Sequence, residues 1–170
     1  MTTQTLLRIV HIVGGVCWAG GAVFIAGLLM PSARKVGAGA TPLIRELTDF
    51  KRIPMYMMIM SWSALLSGGA LAWRDAGLEG MRWFEHGMGL IFGIGAAFAI
   101  LGAVAGMAVT APTAKRLREF SIQLQNAGRA PTPDEMQTMQ RMQNKLYAVA
   151  RVLAVLLLAT TVAMASARYM

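Results

Sequence analysis

The chain has 170 residues and two histidines, His11 and His86, and each falls in or at the mouth of an apolar helical segment. A neutral imidazole is a natural axial ligand for haem iron. Two of them on facing helices would make a six-coordinate b-type site suited to electron transfer. Arg8, Arg74 and Arg82 belong to the same end of the chain topology and could pair with the haem propionates. Gly14 lies one turn from His11, and Gly89 and Gly93 share a helix side with His86, so these glycines could make room for a flat macrocycle. The metal ligands expected on this reading are His11 and His86, with Gly14, Gly89, Arg8 and Arg82 around one haem b.

Four apolar runs, over 6–30, 53–73, 87–111 and 146–165, have to position these groups. At a rise of about 1.5 Å per residue, each is long enough to cross a hydrocarbon core of roughly 30 Å. The expected fold is therefore all-α: a single membrane domain formed by a four-transmembrane-helix bundle. A composition of 56% hydrophobic and 14% charged residues agrees, because a surface facing lipid needs no polar coat. On this topology both termini share one side with the 74–85 turn, and the 31–52 and 112–145 connections share the other. Eleven of the 16 Lys and Arg residues lie in those two connections, against Arg8, Arg74, Arg82 and Arg168 opposite. The positive-inside rule then makes the basic side cytoplasmic and both termini periplasmic, in a bacterial inner membrane. His11 is about five residues inside the first span, roughly 7 to 8 Å down, and His86 starts the third from the same side. Tilt can bring the two to one depth.

The net charge of +8 is on this view an orientation signal, and no basic stripe interleaves with exposed aromatics, so nucleic acid is not an expected partner. The first apolar run is too long for the core of a cleaved signal peptide and lacks the basic start. Cys17 is the only cysteine, which excludes an internal disulfide, and its neighbour Val16 is too large for a lipoprotein cleavage site.

Between the spans, Pro31 is expected to end the first helix. Thr41 and Pro42 should open an amphipathic interfacial helix over 42–50, with Leu43, Ile44, Leu47 and Phe50 on one face. Helical composition continues beyond the third span through Gln125, with Pro112 as a kink site. Thr132, Pro133 and Glu135 read as a capping-box start for the fourth helix. The third and fourth helices should thus extend as a cytoplasmic hairpin.

The run His11-Ile-Val-Gly-Gly-Val-Cys-Trp18-Ala-Gly20-Gly21, followed by Phe24, resembles the opening helix of the copper-resistance-D-like superfamily of bacterial membrane proteins. It is also similar to the first helix of the related membrane-bound, haem-carrying protoporphyrinogen oxidase, in which a histidine precedes a tryptophan by seven positions and a glycine follows. The resemblance is concentrated in about twenty residues, with weaker likeness elsewhere. It implies a haem ligand at His11 and a packing role at Trp18 beside the cofactor. That oxidase carries a functional lysine near the start of its third helix, where this chain offers His86 instead, so the resemblance favours a haem site over the oxidase activity.

The expected function is electron transfer, with a quinone, a periplasmic redox protein or a larger membrane enzyme as partner. The alternative is a cofactor-free accessory subunit of a membrane complex or homo-oligomer. Copper handling is a third reading, because Met55, Met57, Met58 and Met60 offer soft thioethers, although at the end away from the histidines. Arg151, one to two turns inside the last helix, either snorkels to the surface or holds an anionic lipid or quinone oxygen. No serine nucleophile with a base, phosphate loop or cysteine cluster supports catalysis by protein side chains.

Overall fold

A computed structural model describes residues 2–49 and 52–169. Among these, the regular structure is helical, with no strand. Helix α1 (Thr3–Phe24) passes through a π-helical turn (Ile25–Leu29) into α2 (Met30–Val36). After the short amphipathic α3 (Thr41–Asp49) comes α4 (Arg52–Ala76). Helix α5 (Gly87–Ala105) passes through a second π turn (Gly106–Thr110) into α6 (Ala111–Asn126), and α7 (Pro133–Ser166) runs into a 3-10 turn (Ala167–Tyr169). Four continuous helical stretches, Thr3–Val36, Arg52–Ala76, Gly87–Asn126 and Pro133–Ser166, are long and apolar enough to cross a membrane.

Pro31 does not end the first helix. A proline ring lacks the N–H and collides with the carbonyl four residues back, but a widened turn just before it removes the conflict. The Met30 N–H bonds to the Ile25 carbonyl, five residues back, and helix resumes through Pro31 to Val36. The third stretch solves the same problem in the same way: the Ala111 N–H bonds to the Gly106 carbonyl immediately before Pro112. Gly37, with φ of 67°, then stops the first stretch in a left-handed conformation. A 3-10 turn over Gly37–Ala40 runs directly into α3, so Thr41 is its first residue rather than its cap. Leu29 and Val36 line an apolar recess with Leu43 and Ile44 of α3. Phe50, expected on the same face, lies outside the described residues.

The two halves of the bundle repeat one device. Gly14 and Gly21 precede Pro31 by 17 and 10 residues, and Gly95 and Gly102 precede Pro112 by the same intervals. Each pair of glycines closes one helix on the next. A methyl group on Gly14 would meet the Ser63 side chain and the Ala64 nitrogen at 3.1 Å, and one on Gly21 would meet Met57 and Tyr56 at 3.1 Å. A methyl on Gly95 would meet Met164 at 3.1 Å, and one on Gly102 would meet Leu157 at 3.7 Å. A side-chain hydroxyl laces each contact: the Tyr56 hydroxyl donates to the Cys17 carbonyl at 2.9 Å, and the Thr160 hydroxyl to that of Gly95 at 3.2 Å. Small residues are needed because lipid is as apolar as leucine, which leaves close backbone packing and such hydrogen bonds to hold helices together.

Helix α1 packs against α4 and α7, and α5 packs against α7 and touches α4. Trp18, Ala19 and Ala22 of α1, Ala64 of α4, Ala99 of α5 and Leu157 of α7 form the shared core. Outside it, Ile12, Val16, Leu28, Leu66, Val155 and Val162 are each more than half exposed. An outer face this apolar suits contact with a bilayer rather than water.

Helices α6 and α7 continue as a packed pair beyond the apolar stretches. At the start of α7, the Thr132 hydroxyl accepts from the Glu135 N–H at 3.3 Å, and the Glu135 carboxylate accepts from the Thr132 N–H at 2.7 Å. The Arg129 guanidinium adds a bidentate pair at 2.8 and 2.9 Å. Those Arg129 bonds first, and the Thr132 N–H next, hold the Glu135 carboxyl down from 4.5 to about 2. A depressed carboxyl contributes its full stabilisation above its unfolded pKa and loses it as pH falls through the folded one. The cap is therefore expected to hold above about pH 4.5 and to be released towards pH 2. Carbon NMR titration of the Glu135 carboxyl measures this, and Arg129→Ala should move the titration upwards.

Candidate functional site

His11 sits on the α1 face that meets α4. Its Nδ1 is 2.8 Å from the Ala64 carbonyl oxygen. A carbonyl can only accept, so Nδ1 carries a proton, and in the neutral form of the ring the lone pair is then on Nε2. The ring lies against Gly68: a Cβ there would stand 2.6 Å from Cε1 and 2.9 Å from Nδ1. The Ala64 carbonyl also accepts from the buried Ser67 hydroxyl at 3.3 Å. The imidazole is thus oriented, half-buried and in one tautomer. Metal-ligating histidines are held in this way, with the second ring nitrogen bonded to a carbonyl or carboxylate.

His86 has a different setting. It is the extended residue before α5, with φ of −148°, and its side chain caps nothing. Gly87 follows with φ of 55°, turning the chain from the 3-10 turn Gly80–Glu85 into the helix. Nε2 of His86 is 3.7 Å from a Glu79 carboxylate oxygen, and both side chains are more than half exposed. A pair with this exposure contributes little to stability.

The two histidines are displaced along the bundle. Trp18 and Ala99 share the central cluster. His11 precedes Trp18 by seven residues and His86 precedes Ala99 by thirteen, so at helical rise His86 stands about 9 Å farther out. In the repeated pattern of glycines and prolines the counterpart of His11 is Phe92, which stacks on Trp83 with centroids 6.1 Å apart.

The remaining expected site residues distribute as follows. Gly14 is buried against Ser63 and Ala64, and Gly89 against the Trp83 carbonyl. Gly93 faces Phe84, whose ring packs edge-on against Trp83 with centroids 5.0 Å apart. The space these glycines open is taken by α4 in one case and by the Trp83–Phe84 turn in the other. Trp18 is in the central core, 6% exposed. Arg8 and Arg82 are exposed at the same end as the histidines, and Arg74 pairs with Asp75 at 3.2 Å. The methionines of the second span diverge: Met57 and Met60 pack on the core, whereas Met55 and Met58 are 54% exposed. Among the described residues there is no cluster of three or more His, Cys, Asp or Glu side chains.

Sequence reasoning missed the partners of His11. The small residues Ser63, Ser67 and Gly68, four and one positions apart, were the available signal: small and hydroxylated residues on one face of α4 leave room for a ring and supply its polar surroundings. Comparison of the chain with family models, curated proteins and solved structures finds no match.

Proposed function

We propose that this chain is a small b-type haem protein of the bacterial inner membrane, in which His11 would hold the haem iron. The supporting observation is the His11 Nδ1–H bond to the Ala64 carbonyl, which leaves Nε2 as the free donor atom on an oriented ring. His86 serves as the second ligand in this reading, carried inwards by the turn between α4 and α5. Haem, when bound, supplies a one-electron couple. The chain's own part is to hold the ligand ring in one tautomer, exclude water with the Trp83, Phe84 and Phe92 cluster, and offer Arg8 and Arg82 to propionates. With the basic connections cytoplasmic, the site lies near the periplasmic face and the α6–α7 hairpin extends into the cytoplasm. Electron exchange with a quinone or a periplasmic redox protein then takes place on the outer side.

A second reading is a cofactor-free accessory subunit of a membrane complex or homo-oligomer. It is favoured by the closure of Gly14, Gly68 and Gly89 on protein atoms, since the His11 bond completes a helix contact without any ligand. A dithionite-reduced minus oxidised spectrum of the purified protein, with haem per chain from the pyridine haemochrome, separates the two. Sharp α and Soret bands at near one haem per chain are expected. His11→Ala should remove them, and His86→Ala should convert a six-coordinate spectrum to a five-coordinate one. A featureless spectrum from haem-replete cells selects the second reading.

A further inference from the structure

Two guanidinium groups converge on one tyrosine ring at the basic end of the bundle. Arg34 of α2 lies over the Tyr147 ring of α7, with its guanidinium carbon 4.1 Å from the ring centroid, and donates to the Asn144 side-chain oxygen at 2.8 Å. Arg151, one turn deeper on α7, brings its guanidinium carbon to 5.5 Å from the same centroid. Among the described residues neither has a carboxylate partner. Glu46 is taken by Arg52, Glu119 by Lys115 and Glu135 by Arg129. The negative faces of the ring attract each cation, but two like charges on one ring repel, and that repulsion grows as water is excluded.

Depth identifies what relieves it. Tyr147 is ten residues from Leu157 of the central cluster, so it lies about 15 Å from that level at helical rise. That is half of a hydrocarbon core of roughly 30 Å, the plane at which headgroups begin. Arg151 starts below this plane at an exposed position and reaches back up to the ring, the behaviour of a snorkelling cation. Arg34 is also exposed. The Tyr147 hydroxyl makes no hydrogen bond among the described residues. The groups therefore offer two planar donor forks and one free hydroxyl to an anion arriving from the bilayer side.

We propose that Arg34, Tyr147 and Arg151 bind the phosphodiester of an anionic phospholipid in the leaflet at the basic end. A net negative headgroup offsets both guanidiniums, and bidentate hydrogen bonding suits phosphate oxygens. A zwitterionic headgroup brings its own cation to the same place and neutralises less.

The full-length protein in mild detergent is titrated with phosphatidylglycerol, phosphatidylcholine and glycerol 3-phosphate. Bound lipid is counted by native mass spectrometry and the thermal midpoint is followed. Phosphatidylglycerol should bind roughly tenfold more tightly than phosphatidylcholine, the factor carried by one charge-assisted contact. Arg34→Gln and Arg151→Gln should each remove that preference, whereas Lys35→Gln, one residue from Arg34 and equally charged, should keep it. Equal binding of the two lipids by the unaltered protein overturns the proposal, as does an equal loss in Lys35→Gln, which would mean diffuse surface charge. Equal protection by glycerol 3-phosphate overturns the lipid as the ligand and leaves a free-phosphate site. If Arg151→Gln unfolds, Arg34→Gln, at an exposed helix end, decides.

Discussion

Gly89→Ala should unfold this protein more readily than any other single-methyl change in its third helix. Gly89 is buried in the first turn of α5, and the Trp83 carbonyl occupies the place a Cβ would take. The obstacle is backbone, which cannot swing aside as a side-chain end does. Relief requires the 3-10 turn Gly80–Glu85 to lift, and with it the edge-on Trp83–Phe84 pair and the Trp83–Phe92 stack. Overpacking of this kind costs about 1–3 kcal/mol, and a backbone obstacle belongs at the upper end. Helix propensity acts in the opposite sense, since alanine is favoured over glycine by about 1 kcal/mol in a helix interior. The two effects therefore predict opposite signs, and sterics should win. Gly15→Ala is the internal comparison: a Cβ there meets nothing within 4 Å, so only propensity acts and the protein should be unchanged or slightly stabilised. Thermal midpoints of both variants in one detergent measure the contrast. Equal midpoints would mean that the turn does not rest on α5.

Gly68→Ala should destabilise the α1–α4 contact only while His11 is present. Its Cβ would stand 2.6 Å from Cε1 of the imidazole. The ring can move away only by giving up the Nδ1–H bond to the Ala64 carbonyl, so the variant loses a hydrogen bond of about 1 kcal/mol and adds strain of similar size. In a His11→Ala background the obstacle is gone, and Gly68→Ala should be neutral or favourable by up to about 1 kcal/mol through propensity. A double-mutant cycle of unfolding free energies is therefore expected to give a coupling of about 2 kcal/mol, within the range found for residues in contact. Additive effects would show that His11 is not seated on Gly68. The same variant bears on the haem reading. Displacing the ring releases the bond that orients Nε2, so any haem retained by Gly68→Ala should have an altered Soret band.

Much of the architecture was legible in the residues because hydrocarbon imposes a simple rule: a backbone without water must bond to itself, so long apolar runs become helices. The four stretches 6–30, 53–73, 87–111 and 146–165 all lie within observed helices, and the capping box of Thr132 and Glu135 was readable as a local motif. Local rules failed at Pro31. Proline reads as a stop when only the i to i−4 ladder is considered, whereas the π turn at Ile25–Leu29 changes that ladder before the ring arrives. The matching turn ahead of Pro112 shows that two glycine-and-proline frames, rather than two histidines, make the halves of the bundle correspond.

By itself the sequence determined the number of apolar helices and the stretches they must include, the sorting of charge to one end, and the presence of two imidazoles at the other. These follow from composition and periodicity, which act along the chain. Tertiary structure alone decided which neighbour each imidazole faces. His11 turns to Ala64 and Gly68 because the close approach of α1 to α4 at Gly14 and Gly21 fixes the azimuth of α1 in the bundle, whereas His86 turns to Glu79 within the connection between α4 and α5. It also decided that Arg34 and Arg151, 117 residues apart, share the Tyr147 ring. Helix azimuth depends on which small residues meet across an interface, a pairwise property that no single helix carries in its own pattern.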